Sequence, residues 1–187
     1  MRLILASASP RRRDLLAQAG LTFTVQTADI DESLRTGEDP VTYTTRLARE
    51  KAAAVFAKLD NTADVIVLAA DTTVAIDDHI LGKPADAADA ARMLRLLQGR
   101  KHQVMTGVAL MSADETKVHC ETTDVFFAPM TEEEIAGYIA GGEPMDKAGA
   151  YGIQGRAARW ITRIEGDYAN VVGLPLAATC NLLHRMG

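Results

Sequence analysis

Cysteine is scarce: the 187 residues contain two, Cys120 and Cys180, too few for a disulfide framework and not arranged as Cys-x-x-Cys. A reducing cytoplasm is therefore the expected setting. Neither His119 beside Cys120 nor Cys180 with His184 has the spacing of a structural zinc site. No stretch reaches the roughly 18 apolar residues of a membrane helix, and residues 1–7 form too short an apolar run for a signal peptide. The phosphate-loop pattern Gly-x-x-x-x-Gly-Lys-Ser/Thr and the Gly-x-Ser-x-Gly elbow are both missing, which removes P-loop ATPase and serine-hydrolase readings. Positive charge is short as well. A formal net charge of −5 and an isoelectric point near 5.4 argue against broad electrostatic binding to nucleic acid. Repeats, low-complexity tracts and flexible linkers are absent too, so 48% hydrophobic residues predict one domain over residues 1–187, or two closely joined lobes, with a sizeable core.

What is present alternates strand and helix patterns, the plan of an α/β or α+β protein. Residues 2–6 read as a strand, 10–19 as a helix ended by Gly20, and 21–25 as a second strand. A helix over about 40–59 carries an apolar stripe through Val41, Leu47, Ala48, Ala52, Val55, Phe56 and Leu59. Strands follow at 65–70 and 73–76, a helix at 87–97 stopped by Gly99, and a hairpin of strands 103–111 and 117–127 across a polar turn. Thr131 caps a further helix whose first turn holds Glu132, Glu133 and Glu134. The glycine-dense segment 141–155 lacks periodicity and reads as a long functional loop. A strand at 159–164 and a helix at 176–184 complete the chain, and the lone Trp160 is expected to pack in the core.

The chemistry gathers around one carboxylate. Asp71 follows the six apolar residues Val65-Ile66-Val67-Leu68-Ala69-Ala70, and a carboxylate placed at the end of a buried strand has a task to perform. Cations surround it in the sequence. Ser9 and Pro10 are suited to cap and start a helix, so Arg11, Arg12 and Arg13 fall in its first turn, where the dipole disfavours positive charge. Three arginines there ask for a compensating anion, and the free N–H groups of a helix start bind phosphate; a solvated basic turn is the alternative. Lys51 lies four residues from both Leu47 and Val55 on the apolar stripe, to meet Asp71 or a substrate phosphate, or else to snorkel at the core edge. Glu32, in Asp29-Ile30-Asp31-Glu32-Ser33, offers a second carboxylate for Mg²⁺ or Mn²⁺, although capping is the commoner use of such a cluster. Lys83 is held between Gly82 and Pro84 in a turn that can aim a charge. A phosphate-ester enzyme is the reading these residues support.

Taken in order, Leu5-Ala6-Ser7-Ala8-Ser9-Pro10-Arg11-Arg12, Asp31-Glu32-Ser33-Leu34, Leu47-Ala48-Arg49-Glu50-Lys51-Ala52, Ala70-Asp71-Thr72-Thr73-Val74, Leu81-Gly82-Lys83-Pro84, Thr106-Gly107-Val108 and Asp146-Lys147-Ala148-Gly149-Ala150-Tyr151-Gly152-Ile153-Gln154-Gly155 make the chain resemble the Maf family of nucleoside triphosphate pyrophosphatases along nearly its whole length. The resemblance implies an α/β fold with an elongated mixed sheet flanked by helices and two lobes around a cleft, similar to inosine triphosphate pyrophosphatase. It also implies cytoplasmic residence, a homodimer, and hydrolysis of nucleoside triphosphates to monophosphate and pyrophosphate with a divalent cation, Mg²⁺ or Mn²⁺. Asp71 matches the family's proton acceptor; Arg11, Thr72 and Gln154 match positions linked to substrate choice; Ser7, Arg12, Glu32, Lys51 and Lys83 match other cleft residues. The Ala148–Gly155 stretch looks like the branch acting on dTTP and UTP, with 7-methyl-GTP the alternative branch. An amide at Gln154 both donates and accepts, as the imide edge of thymine or uracil requires.

On this reading Glu32, with or without Asp71, holds the metal while Arg11, Arg12, Lys51 and Lys83 neutralise the triphosphate. Water attacks the α-phosphorus and Asp71 takes its proton. Two rivals come from other classes. One is a nucleotide-binding regulator of cell division that uses the same residues without turnover; the other is a nucleic-acid-binding protein using Arg11 to Arg13, which the acidic balance opposes.

Overall fold

The computed structural model describes residues 1–27 and 29–186. In chain order its elements are β1 (Arg2–Leu5), α1 (Pro10–Gln18), β2 (Phe23–Val25), α2 (Pro40–Phe56), β3 (Val65–Ile76), β4 (His79–Leu81), α3 (Ala87–Leu97), β5 (Lys101–Met111), β6 (Thr116–Phe127), α4 (Glu132–Ala140), β7 (Ile161–Glu165), α5 (Tyr168–Val172) and α6 (Leu176–His184). The strands form one mixed sheet in the order β2-β1-β3-β5-β6-β7, with β4 added on β3. It is an α/β fold, as expected. Two compact units share the three long strands: the first holds Met1–Thr72, Thr106–Glu121 and the chain from Gly173 onward, the second Thr73–Met105 and Thr122–Val172. Among the described residues no helix is long and apolar enough to cross a membrane.

In the first unit β1 runs parallel to β2 on one side and to β3 on the other, with Leu5 opposite Leu68. Val65, Val67 and Ala69, alternate residues of β3, pack in one cluster with Ala48, Ala52 and Val55 of α2, as strand and helix periodicities demand of apposed faces. Gly107 of β5 makes this approach possible: a Cβ there would penetrate the backbone carbonyl of Thr44. The caps follow the sequence. Ser9 Oγ accepts from the Arg12 backbone N–H with Pro10 at the first helical position, and Asp39 caps α2 through Val41 and Thr42. α2 ends three residues short of expectation because the Lys58 and Leu59 N–H groups bond three residues back, to Val55 and Phe56. The chain thereby tightens out of the α-helix while Leu59 still reaches the cluster.

The structure corrects the reading of Asp71 as a strand terminus. The two strands expected at 65–70 and 73–76 are one, and Asp71 is an interior residue of β3. What ends near it is the neighbour: β1 pairs β3 only through Leu68. The polar residues Asp71, Thr72 and Thr73 keep the strand because each finds a partner, and threonine favours extended backbone.

In the second unit α3 and α4 enclose a core with Val74, Ile76, Leu81, Val125, Phe127, Tyr138, Tyr151 and Trp160. Trp160 is buried as expected, edge-on to Tyr138. Thr131 and Glu134 form a capping box at the start of α4. The segment read as a long loop contains two short 3-10 turns, Glu143–Asp146 and Ala148–Ala150, and a third, Arg156–Trp160, takes the first residues of the strand expected at 159–164. β7 therefore begins at Ile161. α5, which no periodicity announced, starts where Asp167 Oδ1 accepts the Ala169 N–H.

One buried group in this core titrates far from its usual range. His102 is 2% exposed, bonds Tyr151 Oη at 2.7 Å and packs edge-on against Phe127, while its Nδ1 has no partner. Burial lowers its pKa to about 4, partly opposed by Asp124. Above pH 6.5 the imidazole is neutral folded or unfolded. Between 6.5 and about 4 the unfolded chain takes a proton that the folded core refuses, so stability falls as pH falls. Urea unfolding at pH 7 and pH 4.5 should show a loss that His102→Gln reduces by about 2–3 kcal/mol; an equal loss in both proteins would remove His102 from the acid response.

Candidate active site

Alternation along β3 puts Asp71 on the face of Val65, Val67 and Ala69, beneath α2, and that helix delivers Lys51 to it. Lys51 Nζ donates to Asp71 Oδ1 at 2.6 Å and lies 2.8 Å from Glu32 Oε1. The Lys51 and Asp71 side chains retain 14% and 12% of their exposure, whereas Glu32 keeps 54%. The lysine read as either snorkelling or paired is paired, with two carboxylates. Lys51 bonds Oδ1 of Asp71, and Oδ2 takes no part in that bond.

Thr72 belongs to the opposite face of β3, where α1 supplies Arg12. The guanidinium is held on three sides: Nε donates to Gly173 O at 2.7 Å, Nη1 to Ser7 Oγ at 3.2 Å and Nη2 to Thr72 Oγ1 at 3.0 Å. Thr72 Oγ1 in turn lies 2.9 Å from Thr106 Oγ1. Arg12 has its pKa lowered by desolvation, with Asp71 opposing that shift and Arg11 adding to it. A dehydrated guanidinium with five N–H donors, three of them used, is built to take an anion. Ser7 Oγ accepts from both Arg12 and the Ser9 N–H, so its own hydrogen is available to donate. Arg11 is half-buried beside Arg12 in α1 and Arg13 is exposed.

The residues expected to act together thus fall into two sets. Ser7, Arg11, Arg12, Glu32, Lys51, Asp71 and Thr72 all belong to the first unit, while Lys83 and Gln154 belong to the second. Lys83 is exposed just beyond β4, and Gly82 O accepts the Gly149 N–H at 3.1 Å. Gly149 itself, at φ +68°, lies so close to Val74 that a Cβ would stand 2.7 Å from its Cγ2, which ties the two turns to β3 in that unit. Gln154 is exposed in the turn that the Gly155 N–H closes onto Gly152 O.

Sequence reasoning missed the residues that hold Glu32 in place. Tyr43 Oη donates to Glu32 O at 2.9 Å, and Arg46 Nη2 donates to Ser33 O at 3.0 Å and to Glu38 Oε2 at 2.8 Å. Arg46 Nε bonds the other oxygen of Glu38, a bidentate fork, and Nη1 reaches Glu50 at 3.1 Å. These bonds lower the Glu38 pKa to about 2. The available signal was that Tyr43, Arg46 and Glu50 recur at three and four residues on one side of α2, which reads as an ordinary solvated face. Thr106 stood within a family motif without a role.

Two carboxylates around one ammonium also bear on a metal. Among the described residues no group of three or more His, Cys, Asp or Glu side chains gathers as a metal cage. The donors present, Asp71 and Glu32, fit the hard oxygen set of Mg²⁺ or Mn²⁺, which one or two carboxylates hold together with substrate phosphates and water.

The family model for Maf-like protein matches residues 2–186. A dTTP/UTP pyrophosphatase of Koribacter versatilis is 56% identical over 100% of this chain and 95% of its own. One of Symbiobacterium thermophilum is 53% identical over 99% of this chain and 94% of its own. The solved nucleoside-triphosphatase / dITP/XTP pyrophosphatase of Mycobacterium abscessus aligns with a TM-score of 0.47 at 16% identity, covering 100% of this chain and 98% of that one.

If Arg46 pins the Glu32 segment, Arg46→Met should speed amide hydrogen exchange across residues 31–38 on the order of tenfold or more and leave β3 unchanged. Equal exchange in the two proteins would show that the segment is held by Tyr43 and local turns alone.

Proposed function

The chain belongs to the Maf-like protein family, and from that premise we propose that it hydrolyses dTTP and UTP, and by extension modified pyrimidine nucleotides, to the monophosphate and pyrophosphate. The observation that carries the chemistry is the largely shielded Lys51–Asp71 ion pair, 2.6 Å long, with Glu32 on the same ammonium. The relatives named dTTP/UTP pyrophosphatase, matched end to end, support the substrate class.

Each residue then has a task. Arg12 offers its two remaining N–H groups, and Ser7 its hydroxyl hydrogen, to phosphate oxygens; Arg11 adds positive charge beside them. Thr72 and Gly173 fix the plane of the Arg12 guanidinium, so that its donors are aimed before substrate arrives. Lys51 holds Asp71 through Oδ1, leaving Oδ2 to accept the proton of a water directed at the α-phosphorus. Glu32, with or without Asp71, would hold a divalent cation, Mg²⁺ or Mn²⁺, which when bound supplies charge neutralisation on the triphosphate and lowers the pKa of a bound water. Lys83 neutralises the pyrophosphate leaving group, and the Gln154 amide meets the imide edge of thymine or uracil. In this reading the enzyme is a cytoplasmic homodimer acting on a small nucleotide; the net charge of −5 supports the absence of a nucleic-acid partner.

Purified protein with Mg²⁺ or Mn²⁺, offered dTTP, UTP, CTP, GTP, ATP and 7-methyl-GTP, should release monophosphate and pyrophosphate from dTTP and UTP in preference to the others. Asp71→Asn should lose roughly 10²–10⁴-fold in turnover while still binding nucleotide. Preference for 7-methyl-GTP would move the chain to the other branch, and binding without turnover of any substrate would make it a regulator.

A further inference from the structure

Gln154 has to present its amide at one orientation to discriminate between bases, yet it is exposed on a turn flanked by Gly152 and Gly155, the residue type least able to hold a conformation by itself. Something outside the turn must set it. Two side chains meet both of its ends. Tyr138 of α4, buried, accepts the Gly152 N–H at its Oη, 3.3 Å away, and donates from the same oxygen to Glu143 Oε1 at 2.9 Å. Glu143 Oε2 accepts the Arg156 N–H at 3.1 Å. Gly155 runs so close to this carboxylate that a Cβ there would stand 2.0 Å from Glu143 Oε1. A Cβ on Gly152 would stand 2.7 Å from Lys147 Cε, and Lys147 Nζ donates to the Glu143 backbone carbonyl at 2.6 Å. The turn is bonded to the Tyr138–Glu143 pair at both ends, and a side chain at Gly152 or Gly155 would have to displace Lys147 or the Glu143 carboxylate that holds it.

We propose that Tyr138 and Glu143 are specificity-positioning residues, forming a clamp that fixes the Gly152–Gly155 turn so that the Gln154 amide selects the imide edge of a pyrimidine base. The proposal rests on the reading of the chain as a dTTP/UTP pyrophosphatase and of Gln154 as its base-reading residue. Neither clamp residue touches the reacting phosphate in this account. Loosening the clamp frees Gln154 to rotate toward the amino edge of cytosine as readily as toward the imide edge of uracil, since an amide can satisfy either. The cost appears in discrimination rather than in the chemical step.

The test compares kcat and KM for UTP and CTP in the wild type, Tyr138→Phe, Glu143→Gln, Gln154→Ala and the double variant Tyr138→Phe/Gln154→Ala, with thermal melting of each. Tyr138→Phe keeps the ring that packs at 5.5 Å on Trp160 and removes only the hydroxyl. It should raise the KM for UTP and lower the UTP-over-CTP ratio of kcat/KM on the order of tenfold, with kcat for UTP changed less than twofold. Glu143→Gln, which keeps one accepting oxygen, should fall between wild type and Tyr138→Phe. The double variant should discriminate no worse than Gln154→Ala alone, because the clamp acts through that residue. A ratio that collapses in Gln154→Ala but stays at the wild-type value in both clamp variants overturns this proposal alone. A wild-type ratio in Gln154→Ala overturns the base-reading role and the clamp's purpose with it. A uniform fall in kcat for both nucleotides, tracking the melting temperature, would reduce the clamp to a fold element.

Discussion

The ion pair between Lys51 and Asp71 is the constraint to which the first unit is built. An aspartate inside a strand whose other residues, Thr72 apart, are buried is costly to desolvate, and the ion pair with Lys51 makes the charge tolerable there. The geometry that supplies the partner is demanding. Lysine has to come from the apolar face of a helix, at a height set by Leu47 and Val55, and the helix has to lie close enough for its stem to reach. Gly107 permits that closeness by leaving room for the Thr44 carbonyl, and Val65, Val67 and Ala69 hold the apolar contact. Once Lys51 is there, Glu32 can share it from the solvent side. The second carboxylate is exposed, so its position depends on Tyr43 and Arg46 rather than on burial.

Consecutive residues of β3 place the Lys51 pair and the Arg12 contact on opposite faces of one strand, and the proposed chemistry divides with them. Asp71 faces α2 and Lys51; Thr72 faces α1 and Arg12. A sheet turns this one-residue step into a separation of tasks, because successive side chains point to opposite sides. Arg12 is fixed by acceptors that come from three places in the chain, Ser7, Thr72 and Gly173, so the donors left over are aimed by the fold. Preorganised donors of this kind do not have to be gathered when substrate arrives, which is where electrostatic catalysis draws its advantage.

Much of this was legible in the sequence for reasons that are local. Ser9 with Pro10, Thr131 with Glu134, and Gly20 after the first helix announce their caps because capping involves neighbours in sequence. The apolar stripe of α2 pointed Lys51 at the sheet by periodicity alone. Other features depend on distant residues and left no such mark. Asp71 looked like a strand end because polar residues usually end strands. That β3 continues depends on Lys51, Thr106 and Leu81, separated from it by up to 34 residues. The glycine-rich segment looked like open loop because its order comes from Tyr138, Glu143 and Val74 pressing on residues that have no side chain to show it. Arg46 was hidden in the opposite way: a fork of charged residues on a helix reads as solvated surface until its carboxylate and carbonyl partners are seen.

The claim that ties these parts together is that Asp71 directs a water to the α-phosphorus. Hydrolysis of dTTP in ¹⁸O-labelled water, with both products analysed by mass spectrometry after a single turnover, tests it directly. The account predicts one labelled oxygen in the thymidine monophosphate and none in the pyrophosphate. Label in the pyrophosphate would put the attack on the β-phosphorus and contradict the assignment of Asp71 to the water at the α position.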